Sequence, residues 1–131
     1  MGQDVHIVGW KLENEIKVAK YWKNCEEFNL NDNNEWSEAQ SIAINDGDVY
    51  ILGMQKNIAS YTPIYWKNGI KTILEDEGNY YPPNYIAVTE SGNVYIALRN
   101  SKYYFKNGER IYFSKLNTNS PRIDDIKVVP K

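Results

Sequence analysis

Two short phrases recur three times along this chain, and the distance between recurrences limits what it can fold into. Tyr21-Trp22-Lys23-Asn24 returns as Tyr65-Trp66-Lys67-Asn68-Gly69 and again as Tyr104-Phe105-Lys106-Asn107-Gly108. In step with it, Asp4-Val5-His6-Ile7 returns as Asp48-Val49-Tyr50-Ile51 and Asn93-Val94-Tyr95-Ile96. Trp22 and Trp66 stand 44 residues apart, as do Asp4 and Asp48, whereas Trp66 and Phe105 are 39 apart, so the third unit has lost residues between its phrases. A unit of this size cannot bury its own apolar surface and must be stacked on neighbours. Residues 1–131 therefore read as a single repeat domain, with units of about 4–47, 48–92 and 93–131.

Each unit reads as strands. Val5–Trp10, Val49–Met54 and Val94–Leu98 are apolar or aromatic at both parities, which predicts strands covered on both faces. After the first comes a polar connection, Lys11–Lys17, and then a strand ending at Trp22. The Lys-Asn-Gly sequences predict two-residue hairpin turns, because Asn and Gly tolerate a positive φ. Cys25 stands where the other units have Gly, which predicts a first turn that is looser or of another type. Glu27–Leu30 completes that hairpin. Asn31–Ala39 reads as irregular with Trp36 inside it, and Ser41–Ile44 as a strand, followed by a tight turn over Asn45–Asp48. Unit two repeats the plan with strands at Thr62–Trp66, Ile70–Leu74 and Tyr85–Val88 and a turn over Glu90–Asn93. Unit three continues with Tyr103–Lys106, Arg110–Phe113 and Ile123–Val129. The total is twelve antiparallel strands, four per unit, with the tight turns on one rim and the longer connections on the other.

Repeats of four antiparallel strands are the blades of β-propellers. The chain begins on a second-strand phrase, Asp4-Val5-His6-Ile7, and ends on a first-strand phrase, Ile123–Val129. Three such blades are fewer than the roughly four to eight that close a ring. The expectation is an all-β chain of three four-stranded propeller-like blades, half of a six-bladed ring. A second copy completes it as a homodimer by exchange of the C-terminal strand. The alternative is a β-trefoil monomer, which also uses three units of four strands. Asp-Val-Tyr-Ile-Leu-Gly (48–53), Tyr-Trp-Lys-Asn-Gly (65–69) and Ser-Ile-Ala-Ile (41–44) resemble repeats of uncharacterised bacterial proteins that look like β-propellers. The resemblance covers nearly the whole chain and implies fold; it implies no catalytic residues. The chain departs from longer members in having three units, in Cys25 and in its short third unit.

Composition narrows the function classes. A net charge of −2 supplies no basic field for nucleic acid. There is no long apolar run for a membrane and no signal-peptide pattern, so the expected location is the cytoplasm. One Cys excludes an internal disulfide framework. Nucleophilic catalysis needs a base, and the one histidine, His6, sits where Tyr50 and Tyr95 sit, as a blade residue. No set of ligands for Zn is spaced for it, Asp46 and Asp48 are turn residues, and Glu75-Asp76-Glu77 reads as a solvated run. No metal, cofactor or catalytic group is expected; an enzyme would have to assemble its site between two chains.

If the repeated positions are scaffold, function belongs to departures on the long-loop rim. Trp36 and Tyr80 stand six residues before Ile42 and Ile86, with Tyr81 beside the latter, which places them near the mouth of a central channel. Trp10, Met54 and Arg99 stand at the end of the second strand of their units, on the same rim. Aromatic rings with a polar edge suit flat ligands or sugar rings, and Arg99 suits a carboxylate. The expected function is a binding module for a small molecule or glycan, which it sequesters. The alternative is a scaffold for a partner protein.

Overall fold

A computed structural model describes residues 2–30, 35–56, 61–74, 84–98, 103–113 and 125–129. Among the described residues eleven strands form three antiparallel sheets. The N-terminal sheet holds β1 (His6–Glu13), β2 (Ile16–Lys23) and β3 (Glu26–Asn29). The middle sheet holds β4 (Trp36–Asn45), β5 (Asp48–Lys56), β6 (Tyr61–Lys67) and β7 (Ile70–Ile73). The C-terminal sheet holds β8 (Asn84–Val88), β9 (Val94–Leu98), β10 (Tyr103–Lys106) and β11 (Glu109–Tyr112). Within each sheet the strands lie in chain order, each paired with its sequence neighbour. None of the described residues is helical.

The two phrases keep step because they are hydrogen-bonded to each other. In each unit the turn Asn accepts from the backbone N–H of the Val: Asn24 from Val5 at 2.8 Å, Asn68 from Val49 at 2.9 Å, Asn107 from Val94 at 2.9 Å. The same carboxamide donates to Asp4 at 3.0 Å, Asp48 at 2.9 Å and Asn93 at 3.0 Å. The Asn backbone N–H returns a bond to the Val carbonyl in all three units, at 2.8–2.9 Å. Each turn is thus clipped to the start of the strand beside it, which fixes the hairpin register. Registers agree accordingly: Ile7 faces Trp22, Ile51 faces Trp66, and Ile96 faces Phe105.

Each sheet has two faces, and the repeat makes them comparable. One carries the Ile–Trp row (Ile7 and Trp22, Ile51 and Trp66, Ile96 and Phe105); we call it the front. The other, the back, carries Val8 with Tyr21, Leu52 with Tyr65, and Ala97 with Tyr104. The back of the N-terminal sheet packs on the front of the middle sheet, where Ala19, Val8 and Tyr21 meet Ile51, Ile64 and Trp66. The back of the middle sheet packs on the front of the C-terminal sheet, where Tyr50, Leu52 and Met54 meet Ile96, Tyr103 and Phe105. Burying each such side chain contributes about 1.5–3 kcal/mol. The middle sheet is therefore covered on both faces, as the doubly apolar pattern of Val49–Met54 requires.

Four expectations are corrected. Val5–Trp10 is not covered on both faces: Val5 and Ile7 are each 55 % exposed and Trp10 is 41 % exposed. Lys11–Lys17 is no loose connection, because β1 runs to Glu13 and turns through Asn14 and Glu15 at φ of 52° and 68° straight into β2. Trp36 does not lie in an irregular stretch but opens β4. The Cys25 turn is of the same type as its counterparts, with φ of 51° at Asn24 and 71° at Cys25, against 49° and 84° at Asn68 and Gly69. The clip on Asn24 holds Cys25 in the left-handed region that its side chain disfavours.

The count of strands also differs. Among the described residues the N-terminal sheet has three strands, and β1 lies at its edge, where the other two sheets carry β4 and β8 as first strands. Residues 125–129 form no strand; they line a cavity of about 500 Å³ on the back of the C-terminal sheet, with Tyr95, Ala97, Tyr104 and Phe113. The twelfth strand expected over Ile123–Val129 is thus absent at 125–129, and residues 123–124 lie outside those described.

Candidate functional site

The site grows from the way β1 and β2 turn. Continuing β1 to Glu13 and turning at Asn14-Glu15 puts Lys17 on the same face as Trp10, at the diagonal position across the two strands: Trp10 pairs with Ala19, and Lys17 lies two residues before it. The ammonium of Lys17 sits 4.1 Å from the centre of the Trp10 ring. It also sits 5.3 Å from the centre of the Trp36 ring. Trp36 reaches this place because it is the first residue of β4, paired with Lys56 at the far end of β5. Two tryptophans from different units thus flank one cation.

Neighbouring groups extend the cluster. The Glu38 carboxylate lies 3.6 Å from the Lys17 ammonium. Tyr61, the first residue of β6, meets Trp36 edge to face at 5.5 Å. Lys56 lies 5.4 Å over the Tyr61 ring. Lys17, Trp36, Lys56 and Tyr61 are terminal or near-terminal strand residues on the rim opposite the Asn24-Cys25, Asp46-Gly47 and Asn68-Gly69 turns. The result is a row of aromatic rings alternating with ammonium groups. A cation over an exposed ring contributes about 0.5–1 kcal/mol, so the row is held without strong internal forces.

The two tryptophans differ in commitment. Trp10 is 41 % exposed, while Trp36 is half-buried and packs against the cluster between the middle and C-terminal sheets. Trp36 is therefore part packing and part rim. Tyr80, Tyr81 and Arg99, the other expected binding residues, lie outside the described residues. Sequence reasoning missed Lys17, Glu38 and Tyr61. Lys17 was hidden because Glu15 at positive φ disguised a hairpin turn as a polar connection.

Other chemistry-bearing groups are accounted for locally. The His6 ring stacks on Tyr21 at 5.9 Å and shares a 2.7 Å hydrogen bond with its hydroxyl. Burial, helped by the Asp4 charge, pushes the Tyr21 hydroxyl above its usual range. Lys20 is 1 % exposed, and its ammonium is held by Glu13, Asn29 and Glu27. Among the described residues no three His, Cys, Asp or Glu side chains gather as metal ligands. Among the described residues no helix is long and apolar enough to cross a membrane. Comparison with protein families, with curated proteins and with solved structures found no match for this chain.

Proposed function

We propose that the chain is a non-catalytic binding module, one half of a six-bladed β-propeller closed by a second copy. The captured molecule is a small ligand or glycan, held at the rim that carries Trp10 and Trp36 and sequestered there. The observation that carries this reading is the meeting of Trp10 and Trp36, from different units, around the Lys17 ammonium. An exposed indole offers a flat apolar face to a ring, and the adjacent Lys17 ammonium, already an ion-pair partner of Glu38 at 3.6 Å, has further N–H donors for a carboxylate or other anion. That combination suits an acidic sugar or a flat organic acid. The separate sheets, with no pairing from one sheet to another among the described residues, favour the propeller over the β-trefoil, whose barrel joins its units by strand pairing.

A partner-protein scaffold is the second reading. It draws on the outermost strands, where Ile70 is 73 % and Ile73 54 % exposed.

Native mass spectrometry of the protein from its natural host tests the first reading by reporting a retained small ligand. Trp10→Ala should then weaken binding of that ligand about 10-fold or more, as loss of a stacking aromatic does. The unfolding free energy should move by less than about 1 kcal/mol, because the ring is largely outside the core. Trp36→Ala is the poorer probe, since it removes packing as well. A protein that retains nothing and binds no member of a glycan panel at millimolar concentration overturns the reading.

A further inference from the structure

The repeat predicts which surface each sheet covers, and two surfaces remain over. Inside the chain, back meets front twice. Among the described residues, no sheet lies on the back of the C-terminal sheet or on the Ile7–Trp22 end of the N-terminal front, whereas Val18 and Lys20 further along that front are 0 % and 1 % exposed. On the front, Ile7 is 55 % exposed, whereas its counterparts Ile51 and Ile96 are each 1 % exposed. Trp22 is half-buried where Trp66 is fully buried. Further along the same front, Lys20 occupies the position of Ile64 and Tyr103 and is already covered, with its charge met by Glu13, Asn29 and Glu27. A sheet laid on this front would therefore meet no unpaired buried charge. On the back of the C-terminal sheet, Tyr95, Ala97 and Tyr104 are the counterparts of Tyr50, Leu52 and Tyr65, which the C-terminal sheet itself covers.

We propose that the Ile7–Trp22 front of one copy docks on the Tyr95–Ala97–Tyr104 back of a second copy, in the packing already present at the two junctions within the chain. The proposal rests on the two-chain ring above and names its contact surface. By two-fold symmetry the junction forms twice in each dimer. Residues 125–129 lie against the same back, around the cavity of about 500 Å³. They must leave it before the second copy seats. Their exchange onto the free edge of β1 clears the groove and supplies the missing first strand in one movement, so cover and closure exclude each other.

Gly9 is an independent witness to that missing strand. At its counterpart Gly53, an added Cβ would lie 2.0 Å from the Glu38 carbonyl of the first strand, β4, and 2.9 Å from the Trp66 ring. At Gly9, among the described residues, an added Cβ would meet only the Trp22 ring, at an ordinary 3.6 Å. Among the described residues of the single chain nothing requires glycine there. A strand placed beside β1 as β4 lies beside β5 would require it.

Sedimentation across nanomolar to micromolar concentrations tests the proposal on four proteins, each checked by circular dichroism. The parent chain should dimerise. Ile7→Asp should raise the dissociation constant at least about 100-fold, because an aspartate would be desolvated at both junctions. Gly9→Ala should raise it about 10-fold or more, as a Cβ forced against backbone does. Ile70→Asp, on the outermost strand β7, should leave it unchanged. Because Ile7 is exposed in the single chain, its substitution should leave the circular dichroism spectrum intact. Should Ile7→Asp unfold the chain, Tyr104→Asp read the same way takes its place. A parent chain that stays monomeric overturns both the ring and the docking surface. A dimer indifferent to Ile7→Asp and Tyr104→Asp overturns the docking surface alone.

Discussion

The N-terminal and middle sheets are built from the same phrases yet live in different surroundings. Ile51 is sealed and Ile7 is open. Gly53 is confined by the strand beside it and Gly9 is not. Trp66 is fully buried with an indole N–H that finds no acceptor among the described residues, while the Trp22 N–H donates to Glu27 at 3.2 Å. The lesson is that a repeated residue is not a repeated contribution. Its worth depends on whether a neighbouring sheet lies over it, and here the chain supplies that neighbour to the middle sheet on both sides and to the N-terminal sheet on one.

The comparison can be broken most directly at the tryptophans. In dilute chain, Trp66→Ala should cost about 3–5 kcal/mol by urea unfolding, as removal of a fully buried aromatic does, and Trp22→Ala about 1 kcal/mol. Equal losses would mean that the front of the N-terminal sheet is already closed. Trp66→Phe, the residue that unit three uses at Phe105, should fall within about 1 kcal/mol of the parent, because the lost ring volume is offset by removing an unsatisfied N–H.

The glycine pair is the next most sensitive. Gly53→Ala should cost about 2–3 kcal/mol, since the Glu38 carbonyl is backbone and cannot rotate away. Gly9→Ala in dilute chain should stay within about 0.5 kcal/mol, as surface substitutions do. The turns come after that. Asn68→Ala should cost about 1–2 kcal/mol, from the lost clip to Val49 and Asp48 and from the positive φ. Cys25→Gly should stabilise by about 0.5–1 kcal/mol by relieving the left-handed backbone.

The smallest effect is a pH dependence in the N-terminal sheet. The hydrogen bond from Asn24, with the Lys23 charge second, holds the Asp4 carboxyl below its usual 3.8. The hydrogen bond from Lys11 lowers Glu27 below its usual 4.5. The folded chain therefore releases these protons more readily than the unfolded chain. Their stabilisation is complete above the usual values and is lost as pH falls through the lower folded ones. Asp4→Asn, which copies Asn93, should flatten the acid limb of the urea midpoint measured from about pH 6 down to about pH 2.

Much of the scaffold was legible because its determinants are local. Asn-Gly at Asn68 and Asn107 announces a positive-φ turn wherever it stands, and the clip to Val49 and Val94 lies within one hairpin. The reading failed where a neighbour overrode local preference. Glu15 and Cys25 carry positive φ because the strands flanking them pair in register, which no preference of Glu or Cys foretells. Trp36 joined a strand because Lys56 pairs with it across β5. Of the expected rim residues, Trp10 and Trp36 were found for their position relative to the repeat, yet the group that joins them, Lys17, was not.

Alternation, turn chemistry and the threefold phrase were enough to specify an all-β chain and its Asn-Gly hairpins, because each depends on residues close together in the chain. Which of the Ile–Trp rows is sealed and which is open, and that two tryptophans of different units share one ammonium, depended on how whole sheets stack. Stacking brings together surfaces distant in the chain, and the free energy of covering them belongs to the pair of faces and to neither strand alone.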